Sequence, residues 1–141
     1  IGYKSRVELI NPIIRGLVGE KMSSSVEATK IDLLNDEKTV TKKINDAECV
    51  AGNPNNGIMA ILEYLIFILK EDKKEKFIVK REKKYGGDLK YSFYHEVEKD
   101  FKERKLHPLD LKIAVTKEIN TLLRNFREDK KIKELHKLAY G

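Results

Sequence analysis

One cysteine, Cys49, stands among 141 residues. A chain with a single thiol forms no disulfide, no CxxC redox pair and no cysteine-based zinc site within itself. That suits a reducing compartment, and the expected location is the cytoplasm. Long apolar runs are also missing. The longest stretch, residues 58–69, is interrupted by Glu63 and falls short of the roughly 20 residues needed to span a bilayer. Ile1 to Leu9 carry Lys4, Arg6 and Glu8 and lack the apolar centre of a secretory leader. No internal repeat is visible. The three histidines, His95, His107 and His136, have no spacing that suits a metal site, so no metal-ligating residues are expected.

What the chain does have is charge. Charged residues make up 37% of it and hydrophobic residues 40%, so a core and a lysine-rich surface are both expected. The net charge of +6 and the pI near 9.2 favour a polyanionic partner. The plain alternative is a solvated basic surface. The length suits one domain, or the end of a larger one.

Along the chain, Val7–Ile10 reads as a short strand ending at Asn11-Pro12. No partner strand follows for many residues, which predicts a sheet completed by sequence outside this chain. Residues 13–35 read as loop. Within them, Ser24-Ser25-Val26-Glu27 fits a capping box, in which Ser and Glu satisfy each other's backbone donors at a helix start. A helix is predicted over Asp36–Cys49, capped by Asp36, with Val40, Ile44 and Ala47 on one face and Cys49 buried. Gly52–Gly57 is a turn. The next helix, Ile58–Lys70, with Asn56 as cap, is apolar nearly all round, which predicts burial on most sides. Phe77–Arg81 and Leu89–Tyr91 flank a Gly86-Gly87-Asp88 turn and read as a small hairpin. Helix Tyr94–Arg104 follows. Pro108 opens the best-defined helix, with Leu111, Val115, Ile119, Leu122 and Phe126 on one stripe. A last helix, Asp129–Ala139, is expected to turn Ile132, Leu135 and Leu138 inward.

Three stretches carry a resemblance. The first is Lys21-Met22-Ser23-Ser24-Ser25 with Lys30–Leu34. The second runs from Lys42-Lys43-Ile44 through Ala47-Glu48-Cys49 to Gly52-Asn53-Pro54. The third is Lys84-Tyr85-Gly86-Gly87-Asp88 with His107-Pro108-Leu109-Asp110-Leu111-Lys112. In this order and spacing, the chain resembles the C-terminal half of tyrosyl-tRNA synthetases of the archaeal and eukaryotic cytoplasmic type. The resemblance implies a mainly α chain. Residues 1–35 would be the edge of a Rossmann-type catalytic domain, a short strand plus the KMSSS loop. Residues 36–141 would be an α-helical anticodon-binding domain with a small hairpin. It also implies ATP-dependent formation of tyrosyl-adenylate and transfer to tRNA-Tyr, with Mg²⁺ arriving on the ATP. The family's HIGH-type motif and most of its tyrosine pocket would lie N-terminal to Ile1, as would most homodimer contacts, so this chain alone is expected to be inactive. The alternative reading is a stand-alone tRNA-binding module without catalysis.

By the same resemblance, Lys21 and Ser24 are the catalytic candidates, and Met22, Ser23 and Ser25 the ATP-binding ones. Lys21 would meet charge developing as pyrophosphate leaves. Many class I enzymes have a second lysine where Ser24 stands, so the charge falls to Lys21, Mg²⁺ or another ion. Asp110 would read the first anticodon base, G34, because a carboxylate matches the N1–H and N2–H₂ donors of guanine. Tyr85 would stack on that base. His107 would cap its helix or touch the anticodon loop. Lys73, Lys74, Lys76, Lys80, Arg81, Lys83 and Lys84 flank the proposed site and suit phosphates, or are simply solvated.

Overall fold

A computed structural model describes residues 13–23 and 25–140, the side chain of Tyr140 excepted. The strand expected at Val7–Ile10 and the residue Ser24 lie outside the described residues. The described chain is mainly helical, with one two-stranded sheet. Among the described residues no helix is long and apolar enough to cross a membrane.

Helix α1 spans Glu37–Asp46. Asp36 caps it, its Oδ1 accepting from the Thr39 amide at 2.7 Å. Val40 and Ile44 are fully buried. The helix stops three residues before the expected end at Cys49. Ala47 turns extended, Lys112 Nζ donates to the carbonyls of Asn45 and Ala47 at 2.8 and 2.7 Å, and the Glu48 amide turns to Leu17 O at 3.0 Å. These partners are distant in sequence, so the helical pattern does not reveal the stop. Cys49 is therefore outside the helix and only half-buried. Burial pushes its thiol pKa up, and Lys112 opposes that shift.

Asn56 caps the next rod through the Met59 amide at 3.0 Å. The rod comprises α2 (Gly57–Ile61), a π-helical turn (Leu62–Ile66) and α3 (Phe67–Lys73). The wide turn shifts the register of the faces. Ile58, Met59, Leu62, Ile66 and Phe67 are buried, while Tyr64, Leu65 and Ile68 face solvent. The expectation of burial on most sides is corrected accordingly: one side packs and the other is bare.

The hairpin forms as expected, with β1 (Phe77–Val79) antiparallel to β2 (Leu89–Tyr91) and Phe77 opposite Tyr91. Phe77, Val79 and Tyr91 point into the core, and Ile78 points out. β1 ends before Arg81 because the Arg81 amide leaves the ladder for Asp88 Oδ1 at 3.0 Å. Helix α4 spans Tyr94–Lys102; Glu96 Oε2 accepts from the amides of Ser92 and Phe93 at 2.6 and 3.0 Å. It ends two residues before the expected Arg104, which is left-handed at φ 59°.

Helix α5 (Pro108–Glu128) is the spine. Its stripe of Leu111, Ala114, Val115, Ile119 and Leu123 is buried, and it packs on α1 and β1. Leu122 and Phe126 are half-buried. Helix α6 (Lys130–Tyr140) departs from expectation. Leu135 and Leu138 are exposed and Ile132 half-buried; beside this helix the 30–35 segment forms an open groove that Ile132 and Leu135 line with Leu33 and Leu34.

Candidate functional site

The Lys21–Ser25 loop is held by one side chain that its sequence does not advertise. Thr29 is buried, and its hydroxyl lies 2.8 Å from Val26 O and 3.1 Å from Ser23 O while accepting from the Ser23 amide at 3.0 Å. Backbone bonds from Leu17 N to Thr29 O (3.0 Å) and from Met22 N to Ile14 O (3.1 Å) close the loop. Buried Leu17 pins it to the core. Gly57 lets it approach: a Cβ there would lie 2.1 Å from Gly16 O. Neither Thr29 nor the Gly16–Gly57 contact is marked by a local pattern.

The capping box expected at Ser24–Glu27 turns on Ser24, which lies outside the described residues. A single 3₁₀ turn runs Glu27–Thr29 from Val26, with no side-chain cap. The Glu27 carboxylate meets Lys43 at 2.8 Å and Lys30 at 3.9 Å. Ser23 and Ser25 hydroxyls are 3.0 Å apart. Lys21 is exposed and has no ion pair among the described residues. Lys21, Met22 and Ser23 line one open cavity of about 550 Å³ with Ile13, Ile14 and Lys30. Two neighbouring hydroxyls and an uncommitted ammonium beside an apolar floor suit an anionic ligand with a flat apolar part.

A second cavity, of about 440 Å³, brings Tyr85, His107 and Asp110 together. Tyr85 ends a 3₁₀ turn (Lys83–Tyr85) and is 63% exposed, so it is not a core tyrosine. Gly86 and Gly87 follow at φ 94° and 74°, a left-handed pair that favours glycine. Arg81 ties this turn to the loop before α5: its Nε donates to Gly87 O and its Nη1 to Lys105 O, both at 3.0 Å. Lys84 lies 4.8 Å from the Tyr85 ring centre and pairs with Glu82 at 2.8 Å. Of the flanking basic run, Arg81 and Lys84 thus have protein partners.

His107 caps α5. Its Nδ1 accepts from the Leu109 amide at 3.1 Å, so in the neutral ring the proton sits on Nε2. Asp110 sits in the first turn of α5, where exposed amide dipoles favour a carboxylate. It is half-buried and has no hydrogen bond or ion pair among the described residues. A preset carboxylate without a protein partner, facing a cavity beside an exposed aromatic ring, suits a planar ligand with paired donors. His95 and His136 are exposed and lie away from this cavity.

The family model for tRNA synthetases class I (W and Y) matches residues 2–124. The cytoplasmic tyrosine–tRNA ligase of Gallus gallus is 44% identical over 99% of this chain, which spans 26% of that relative. The tyrosine–tRNA ligase of Natronomonas pharaonis is 41% identical over 90% of the chain and 37% of its own length. Among solved structures, tyrosyl-tRNA synthetase from Archaeoglobus fulgidus, complexed with L-tyrosine, is 42% identical. It superposes with a TM-score of 0.75 over 83% of this chain and 35% of its own. The chain thus spans about a quarter to two-fifths of the length of these relatives. With the family model covering most of its length and its relatives named as tyrosine–tRNA ligases, the chain belongs to the class I tRNA synthetases of the W and Y type.

Proposed function

We propose that this chain supplies the ATP-phosphate loop and the anticodon-reading body of a tyrosine–tRNA ligase. In this reading residues 1–35 are the edge of the catalytic domain and residues 36–141 the tRNA-reading module. The observation that carries it is the convergence of Tyr85, His107 and Asp110 on one cavity from two separate turns.

Asp110 accepts from N1–H and N2–H₂ of the first anticodon base, and Tyr85 stacks on that base. A bidentate pair of this kind discriminates by roughly 1–3 kcal/mol, by analogy with groove readout. Helix α5 holds the carboxylate in place before the RNA arrives, which lowers the ordering cost of binding. At the other site Lys21 and the serine hydroxyls hold phosphate oxygens of ATP, and Met22 lies toward the adenine. As a tyrosine carboxylate oxygen attacks the α-phosphorus, negative charge builds on the departing pyrophosphate, and the Lys21 ammonium stabilises it. Ser24 acts with Lys21 in this reading. Magnesium comes with the ATP and adds charge neutralisation there.

The test separates the two sites in the natural full-length protein. Asp110→Ala weakens charging of tRNA-Tyr, up to about a hundredfold at the upper end of that discrimination, and leaves ATP–pyrophosphate exchange intact. Lys21→Ala does the reverse. Equal loss of both activities in Asp110→Ala, or unchanged exchange in Lys21→Ala, would overturn the assignment of that residue.

A further inference from the structure

Three cations line the cavity that holds Tyr85 and Asp110: Arg81, Arg104 and Lys105. Two have protein partners. Arg81 spends its guanidinium on the carbonyls of Gly87 and Lys105, and Lys105 Nζ pairs with Glu103 at 2.5 Å. Arg104 is exposed, and among the described residues no carboxylate or carbonyl pairs with its guanidinium.

Its backbone ends helix α4. Arg104 follows the C-cap Glu103 of α4, at the position where a helix commonly ends in a left-handed residue. Its φ is 59°, and the amides of Lys105 and Leu106 both return to Asp100 O, at 2.9 and 3.2 Å. Glycine suits this conformation and an arginine is strained in it. The side chain does not compensate by burial. Its stem runs past Gly52, whose own φ of 83° and missing Cβ leave the space: a Cβ there would lie 3.3 Å from Arg104 Nε. The Arg104 amide also returns to Phe101 O at 3.1 Å, so the left-handed turn is the hydrogen-bonded end of α4 and belongs to the fold; what points to a ligand is the unpaired guanidinium on the wall of the cavity that Tyr85 and Asp110 share.

We propose that Arg104 is an RNA-backbone contact, its guanidinium gripping the phosphate next to the base that Asp110 reads. This rests on the anticodon reading proposed above and adds to it the group that sets the register of the base. A guanidinium presents paired N–H donors to phosphate oxygens, and a backbone contact positions without selecting sequence. The RNA chain would enter between the Arg104 side and the Tyr85 side, with Asp110 at the floor.

The test uses the natural full-length protein and RNA hairpins carrying the tyrosine anticodon loop, with G or A at the first anticodon position. Arg104→Gly relieves the left-handed strain, so the melting temperature holds or rises. Affinity for both hairpins falls about equally, and the slope of log K against log salt shrinks by about 0.7. Arg104→Gln keeps the stem over Gly52 and loses the charge, and it shows the same smaller slope even if the glycine variant proves less stable. Arg104→Lys keeps most of the slope. An unchanged slope in both the Gly and Gln variants overturns the proposal. So does a loss confined to the G hairpin, which would make Arg104 a base reader. Asp110→Ala is run beside them. If it leaves G-over-A preference intact, the anticodon reading itself fails; if it abolishes the preference while the Arg104 variants bind normally, only the Arg104 proposal fails.

Discussion

Replacing Gly57 by alanine tests how the Lys21–Ser25 loop is held. In an ordinary helix the change stabilises by about 0.4–1 kcal/mol, chiefly by restricting the unfolded chain. Here the sign reverses. The new Cβ would lie 2.1 Å from Gly16 O, 2.7 Å from Gly16 C and 2.9 Å from Leu17 Cα. All three are backbone atoms and cannot rotate away. The molecule has two ways to respond. Keeping the loop in place costs about 1–3 kcal/mol in overpacking strain. Lifting it off forfeits Leu17 burial, about 1.5–3 kcal/mol. It also forfeits two backbone bonds, Leu17 N to Thr29 O and Glu48 N to Leu17 O, each about 0.5–1.5 kcal/mol. The cheaper route governs: its central cost of about 2 kcal/mol, less about 0.7 kcal/mol gained from alanine, leaves a net destabilisation of about 1.3 kcal/mol. With a urea m-value of about 2 kcal/mol/M, the midpoint falls by roughly 0.5–1 M. Amide exchange at Leu17 and Glu48 distinguishes the routes, accelerating if the loop lifts and staying slow if strain is borne in place. A midpoint that stays or rises would refute the close approach.

Two further outcomes follow from the same contacts. Thr29→Val keeps the shape but strands the Ser23 amide, a loss of about 1–3 kcal/mol if the loop cannot find water; denaturation should register it, and ATP–pyrophosphate exchange should weaken with it, whereas unchanged exchange would detach Thr29 from loop geometry. Hydrogen bonds from the amides of Phe93 and Ser92 hold the Glu96 pKa below its ordinary 4.5. A depressed carboxylate contributes stability above that value and loses it as pH falls through the folded pKa. Urea midpoints should therefore drop on acidification below 4.5, and Glu96→Gln, which still accepts a hydrogen bond, should flatten that drop. Identical acid slopes in the two proteins would count against it.

The sequence made the hairpin and α5 readable for local reasons. Alternating β-branched and aromatic residues flank a glycine pair, and Pro108 starts an unbroken apolar stripe. Both Asp36 and Asn56 cap as their side chains predict. The errors have partners far along the chain. α1 stops early because Lys112 and Leu17 take its last backbone groups. The loop around Ser23 is held by Thr29, whose hydroxyl lies against the Val26 carbonyl, and Glu27 is met by Lys43 from sixteen residues on, neither of which a local pattern reveals. The apolar positions of α6 have the right period and too little beside them. At the cavity, Tyr85, His107 and Asp110 were found through motif resemblance. Arg104 was not, since an arginine in a run of charged residues carries no sequence sign of a left-handed backbone.

The segment before α1 is also a strap around the helical body. Lys43 reaches Glu27 and the Asn35 side chain, Arg127 Nε donates to Asn35 O at 2.6 Å, and Leu17 fills a place in the same core cluster as Ile44 and Ile58. The side chains of Lys43 and Arg127 are only 12% and 16% exposed in this arrangement. A chain shortened to begin at Asp36 would bare a dent where Leu17 sat and strip Lys43 of Glu27 and Asn35, while Arg127 would lose the Asn35 carbonyl and keep Asn120 and Glu37. Lys43 would become a new hook for phosphate. Salt titrations of polyanion binding on such a piece would count a charge that the intact molecule keeps occupied.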